Sequence, residues 1–111
     1  MKITNRSIEP KTPVPGLAGV TIQNVISEAD GASNFHMRIF EMEPGVSAEA
    51  HAHDFEHEIY ILEGEGSVIG EGGPKPIWKG DILFIRPNEK HTFINKGPER
   101  LCWICVIPAK T

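Results

Sequence analysis

Hydrophobic positions recur along this chain in short runs of β-branched and aromatic residues, separated by residues that favour turns. The runs are 19–26 (GVTIQNVI), 34–42 (NFHMRIFEM), the stretch around 50–53 (AHAH), 58–64 (EIYILEG), 67–70 (SVIG), 76–78 (PIW), 81–85 (DILFI), 91–95 (HTFIN) and 101–107 (LCWICVI). EPG, GEG, GGPKP, KGD, RPNEK and KGPE lie between them, and 11 glycines and 9 prolines supply this punctuation. No 3.6-residue periodicity lasts long enough for a sizeable helix. Closely spaced strands without helical partners predict an all-β sandwich or barrel rather than a βαβ fold. Residues 1–18 hold three prolines by position 15 and are expected to form an extended N-terminal arm, leaving 19–111 as a single barrel domain. Edges of short strands are hazardous unless covered, so a homodimer is expected, with the arm as a candidate cover.

Strand alternation sorts the polar residues inside these runs. Trp103, Cys105 and Ile107 share one face of the last strand and Cys102 takes the other; His36, Arg38 and Phe40 share a face of the 34–42 strand. His36 is read as an interior or interface polar residue, with a substrate contact as the alternative. Arg38 suits either an anionic substrate or a structural salt bridge. Trp78 reads as packing or interface. The Cys102–Cys105 spacing resembles a CxxC motif, but residues three apart on a strand point to opposite faces, which argues against disulfide or zinc chemistry.

Composition narrows the partners. One hydrophobic core is what 111 residues support. A formal charge of −4 gives no electrostatic footprint for nucleic acid. The N-terminal MKITNRSIEP lacks the apolar run of a signal peptide, and no stretch approaches the roughly 18 apolar residues of a membrane span, so a cytoplasmic protein with no membrane partner is expected.

The chain has five histidines, and three fall within HAHDFEHE, residues 51–58. His51 and His53 are two apart and point the same way from an extended segment. His57 opens the next run after a bend, and His91 begins a later strand. Four imidazoles converging inside a barrel make a site suited to first-row transition metals.

These spacings resemble the two motifs of the cupin superfamily. Gly45-x5-His51-x-His53-x3-His57-x6-Gly64 has the first motif's spacing, with histidine where the usual pattern has glutamate. Gly80-x5-Arg86-x-Asn88-x2-His91-x3-Asn95 is similar to the second, with arginine and asparagine in place of proline and the second glycine. Asparagine at 88 tolerates the left-handed backbone that glycine supplies in such a turn. NFHMRIFEMEPG, RPNEKHTF and LCWICVIP extend the likeness to small single-domain cupins that hold manganese with four histidines. The resemblance implies a double-stranded β-helix, or jelly-roll barrel, that dimerises. It implies one divalent metal per chain on His51, His53, His57 and His91, and Cys105 facing the metal cavity. Cavity-lining roles are expected for Trp103, Ile107, Arg38, Phe40 and His36. The superfamily pattern also admits four residues before its acidic ligand, which would substitute Glu58 for His57 and turn His57 to the opposite side of its strand; His57 is preferred.

Four neutral imidazoles would leave the full divalent charge on the ion and two positions open in an octahedral site. That is the mark of a catalytic centre. Manganese enters through the resemblance alone, and iron, nickel, copper and zinc also suit imidazole. The reading placed first is a metal-dependent, dioxygenase-like enzyme acting on a small organic substrate. The alternatives are a non-oxidative isomerase, cyclase or hydrolase using the metal as a Lewis acid, and a small-molecule-binding barrel without turnover.

Overall fold

A computed structural model describes residues 1–109; the last two residues of the expected 19–111 domain lie outside the described residues. The described strands are β1 (Thr12–Pro13), β2 (Val20–Ile26), β3 (Phe35–Met42), β4 (His57–Glu63), β5 (Glu65–Gly70), β6 (Gly73–Trp78), β7 (Ile82–Ile85), β8 (Thr92–Ile94) and β9 (Leu101–Pro108), with one 3-10 turn at Glu28–Asp30. They form two antiparallel sheets, one ordered β1-β2-β3-β9-β4-β7 and the other β6-β5-β8. Two sheets facing each other across one core bear out the all-β sandwich or barrel expected from the periodicity and, more narrowly, the jelly roll implied by the resemblance.

The inner faces alternate as the sequence requires. Val20, Met42, Ile59, Ile61, Leu101, Trp103, Cys105 and Ile107 from the larger sheet meet Ile77 and Phe93 from the smaller one. The opposite parity of β2, β3 and β9 builds a second cluster on the outer face, with Val25, Ile39 and Cys102 buried. Residues 2–6 lie over part of that face, beside Val25, Met37 and Ile39. Gln23 fixes them there, its Nε2 donating to the carbonyls of Arg6 (2.6 Å) and Glu9 (2.9 Å). Farther along the same face, Tyr60, Ile82 and Phe84 stand exposed.

Three segments depart from the sequence pattern. The stretch around 50–53 is not a strand; it makes one isolated bridge, His51 to His91, because Ala50 and Ala52 give it little to pack. Strand β6 begins at Gly73, well before the expected PIW run, and β1 was not anticipated. Both are edge strands, where Pro74, Pro76 and Pro13 cost little because the missing N–H need not reach a neighbour.

Two motif residues prove structural. Asn88 has φ 65°, the left-handed backbone inferred from its place in the second motif. Asn95 is fully buried, its Nδ2 donating to the carbonyls of Met42 (2.9 Å) and Glu99 (2.8 Å) and its Oδ1 accepting from Gly97 N (3.0 Å). It staples the turn before β9 to the end of β3.

Candidate metal centre

The histidines reach one place by separate routes. His57 is the first residue of β4 and points inward with Ile59 and Ile61. His91 sits just before β8, held against His51 by paired backbone hydrogen bonds of 3.0 and 2.9 Å. His53 is positioned through its carbonyl, which accepts the Asn88 N–H, so the turn of the second motif locks onto the segment of the first. Phe55 stacks on His53 (ring centroids 4.9 Å apart, planes at 11°) and also meets His57 at 5.1 Å.

One potential ligand nitrogen from each of His51, His53 and His91 lies within 4.8 Å of the others. His57 stands beside this trio. Its ring is 5.3 Å from that of His53 and 5.2 Å from that of His91. These separations fall inside the trio's own range of 4.7 to 6.0 Å.

The second ring nitrogens indicate which atoms face the cavity. His91 Nδ1 lies 2.8 Å from the Glu89 carbonyl and His51 Nδ1 3.3 Å from the Glu49 carbonyl. His57 Nδ1 lies 3.3 Å from Cys105 Sγ. A carbonyl can only accept, so Nδ1 carries the proton where it meets one and Nε2 keeps its lone pair, the usual arrangement behind a metal-ligating imidazole. His57 Nε2 is buried and finds no hydrogen-bond partner among the described residues. An orphaned buried acceptor beside three clustered imidazoles fits a metal ligand.

Burial and neighbouring charge keep the rings of His53, His57 and His91 neutral. Burial lowers His57 to about 4, reinforced by His91, His53 and Arg38. Burial likewise lowers His53, with help from His51, and lowers His91 against the opposing pull of the Glu89 carbonyl. An imidazole that resists protonation is ready to bind a cation.

The rings open into a cavity of about 240 Å³. Arg38, Phe40, Trp103 and Cys105 line it together with the four histidines. Phe40, Trp103 and Phe93 form a stack, with centroids 5.4 Å and 4.4 Å apart and planes within 20°. Burial raises the Cys105 thiol, partly offset by Arg38, whose Nη2 is 3.6 Å from its sulfur.

Two expected lining residues do not reach the cavity. His36 and Ile107 are register partners across β3 and β9, one alternation beyond the Arg38–Cys105 pair. That step carries them about 7 Å farther along the strands. There the His36 ring meets the Ala32 carbonyl at 3.1 Å and Ile107 packs into the core. Parity named the right face but not how far the cavity extends along it. Glu58 points outward, exposed, and burial with its neighbour Glu56 raises its pKa; it does not line the cavity.

Other residues were missed. Val14 and Leu17, inside the segment expected to be an arm, contribute to the cavity wall, which nothing in their local sequence signals. Phe55 and Phe93 could have been found, since each lies two residues from a site histidine.

Comparison with known proteins agrees with this geometry. Residues 38–107 match the family model described as Cupin domain. A stretch of 68 residues, 60% of this chain, is 40% identical to an oxalate-binding protein of Thermotoga maritima, and the match spans 56% of that relative. The structure superposes on the polyketide cyclase RemF from Streptomyces resistomycificus with a TM-score of 0.91 and 30% identity, covering 99% of this chain and 80% of that one. A predicted oxalate decarboxylase from Thermotoga maritima gives a TM-score of 0.84 at 29% identity, covering 97% and 99% of the two chains. A family match over more than half the sequence, on a jelly-roll barrel with clustered histidines, establishes that this chain belongs to the cupin-2 family.

Proposed function

We propose that this cupin is a divalent-metal enzyme whose site binds a small oxygen-donor substrate, with His51, His53, His57 and His91 holding the ion. The observation that carries the reading is the donor set. It consists of four imidazoles, of which His53, His57 and His91 are kept neutral by burial, with no carboxylate among the described residues that line the cavity. A divalent ion held there keeps its full charge and supplies Lewis acidity toward a carbonyl or carboxylate oxygen. Manganese is the first candidate by family resemblance, followed by iron, nickel, copper and zinc.

The chain's own residues orient and enclose. Cys105 and the carbonyls of Glu49 and Glu89 fix the ring orientations of His57, His51 and His91. The aromatic stack and the apolar side chains of Val14 and Leu17 keep bulk water from the substrate, which strengthens every electrostatic contact inside. This favours a non-oxidative reaction, such as enolisation, isomerisation or cyclisation. Relatives whose names include a polyketide cyclase and an oxalate-binding protein support a substrate rich in oxygen donors.

A dioxygenase-like reaction is the second reading. The Phe40–Trp103–Phe93 wall favours it, since an apolar aromatic cavity suits an electron-rich substrate together with dioxygen. Deuterium exchange at the methyl group of pyruvate, followed by NMR, separates the two. Metal-loaded protein should accelerate exchange over metal-free protein and over His53→Ala without consuming oxygen. No acceleration with any of the five metals would contradict the Lewis-acid reading; substrate-dependent oxygen uptake would establish the second.

A further inference from the structure

The chain has four arginines, and three of them lie in ion pairs. Arg6 meets Glu41 (3.7 Å) and Glu63 (3.5 Å), Arg86 meets Glu71 (3.0 Å) and Glu89 (3.4 Å), and Arg100 meets Glu41 (3.1 Å) and Glu43 (3.3 Å). Arg38, on the cavity wall, pairs with no carboxylate among the described residues. Its Nη2 has only the Cys105 sulfur at 3.6 Å, a weak acceptor, and its Nε is buried without a partner. Its guanidinium lies 5.1 Å above the Phe40 ring, so the aromatic stack holds it at the cavity surface. Arg38 is half-buried, and charges withdrawn from water are ordinarily paired, which makes this cation conspicuous. Its charge reaches the histidine cluster, where it contributes to keeping His53 and His57 neutral.

We propose that Arg38 anchors the carboxylate of the substrate, so that the cavity takes a small planar organic anion carried on a single ring. The planar fork of a guanidinium matches a carboxylate in two parallel hydrogen bonds. The neighbouring faces of Phe40, Trp103 and Phe93 suit a flat, apolar body. A cavity of about 240 Å³ has room for one substituted ring. Four neutral imidazoles around a divalent ion add positive charge next to Arg38, and an anion relieves the repulsion between them. The inference deepens the proposed function, yet it concerns a residue of this chain that is present with or without the metal.

Benzoate and its uncharged counterpart benzamide are the probes. Each is titrated into chelator-treated and zinc-loaded protein, with affinity read by calorimetry and the arginine Nε–H signals followed by NMR. Benzoate should shift the one Nε–H signal that disappears in Arg38→Met, in both metal states, while benzamide leaves it in place. Arg38→Met should weaken benzoate binding by about tenfold or more, the usual scale for a hydrogen bond to a charged group, and Arg38→Lys should recover part of the loss. Should Arg38→Met fail to fold, the comparison of wild type with Arg38→Lys and the wild-type NMR shift decide the matter. Benzoate bound as tightly by the Arg38 variants as by wild type, benzamide bound equally well, or no binding in either metal state would overturn the proposal. Zinc binding with Arg38-independent benzoate binding would leave the metal reading standing and remove this one. Arg38-dependent benzoate binding without zinc binding would do the reverse.

Discussion

Cys102 and Cys105 lie three residues apart on β9, on opposite faces of one sheet, and each has an arginine against its sulfur. The outer pair is finished. Arg6 Nη2 sits 3.1 Å from Cys102 Sγ and is also held by Glu41, Arg6 Nη1 meets Glu63, and Glu41 is bridged further to Lys11 at 2.7 Å and Arg100 at 3.1 Å. The inner pair is not finished. Arg38 has no carboxylate among the described residues, and His57, on the other side of Cys105, has an orphaned Nε2. Both thiols are buried and pushed up by that burial, Cys102 to about 11. The difference therefore lies in the charges around them. Around Cys102 the arginine and its carboxylates satisfy one another within the chain, whereas around Cys105 a cation and a ring nitrogen are left to be met by something bound.

The largest effect that bears on this contrast is metal affinity. Replacing His53 or His91 with alanine should lower it by more than the ~10–100-fold that loss of an outer-shell partner costs, as measured by competition with a chromophoric chelator. Glu58→Ala, on the outer face, should leave it unchanged.

Stability should then move in opposite directions on the two faces. Urea denaturation of metal-free protein should show Glu41→Ala destabilised by about 1–3 kcal/mol, because the basic groups around a buried carboxylate lose their acceptor. Arg38→Met should be neutral or stabilising without ligand, since an apolar side chain of similar length replaces a half-buried charge that meets no carboxylate among the described residues. A large loss of stability in Arg38→Met would show that its charge is already satisfied.

The two faces should also separate on a pH axis. His53, His57 and His91 are lowered in the folded chain, so as pH falls below about 6.5 the unfolded state takes up protons first. Stability of the metal-free protein should decline from there to about 4, with His57 alone contributing on the order of 3 kcal/mol. Burial pushes Glu41 up, but Lys11 and Arg100 together hold it below its ordinary value. Its contribution is present above about 4.5 and is lost only as pH falls further. His57→Gln should flatten the upper part of the profile and Glu41→Gln the lower part.

The smallest effect is thiol oxidation. Under the Lewis-acid reading, metal-loaded protein in aerated buffer with a reductant should keep both cysteines reduced by peptide mass spectrometry. Selective oxidation of Cys105, absent in His53→Ala, would instead indicate oxygen chemistry in the cavity. Light scattering bears on the outer face itself. A homodimer is the expected mass, and Tyr60, Ile82 and Phe84 form the exposed apolar surface that a second copy would cover.

One-sided burial gives β4 a clean period of two, whereas β2, β3 and β9 bury residues on both faces and could be read only as short β-branched and aromatic runs between turns. The edge strands β1 and β6 were hidden or shortened by prolines that only an edge tolerates. At the site, motif spacing named the four histidines, the resemblance named Cys105, and parity named Arg38, Phe40 and Trp103, all of which border one cavity. Parity cannot say where a cavity ends, and His36 and Ile107 therefore fell outside it. Val14 and Leu17 line the wall only because the chain returns along β2, a tertiary event with no local signature.

The central claim is that His57 joins His51, His53 and His91 around one ion. A crystal structure of zinc- or manganese-soaked protein, with anomalous scattering recorded at the metal edge, tests it most directly. A single strong peak per chain is expected, about 2.0–2.2 Å from one nitrogen of each of the four histidines, with His57 Nδ1 still facing Cys105. A peak held by His51, His53 and His91 alone, or one that draws in Glu58 while His57 turns away, would contradict it.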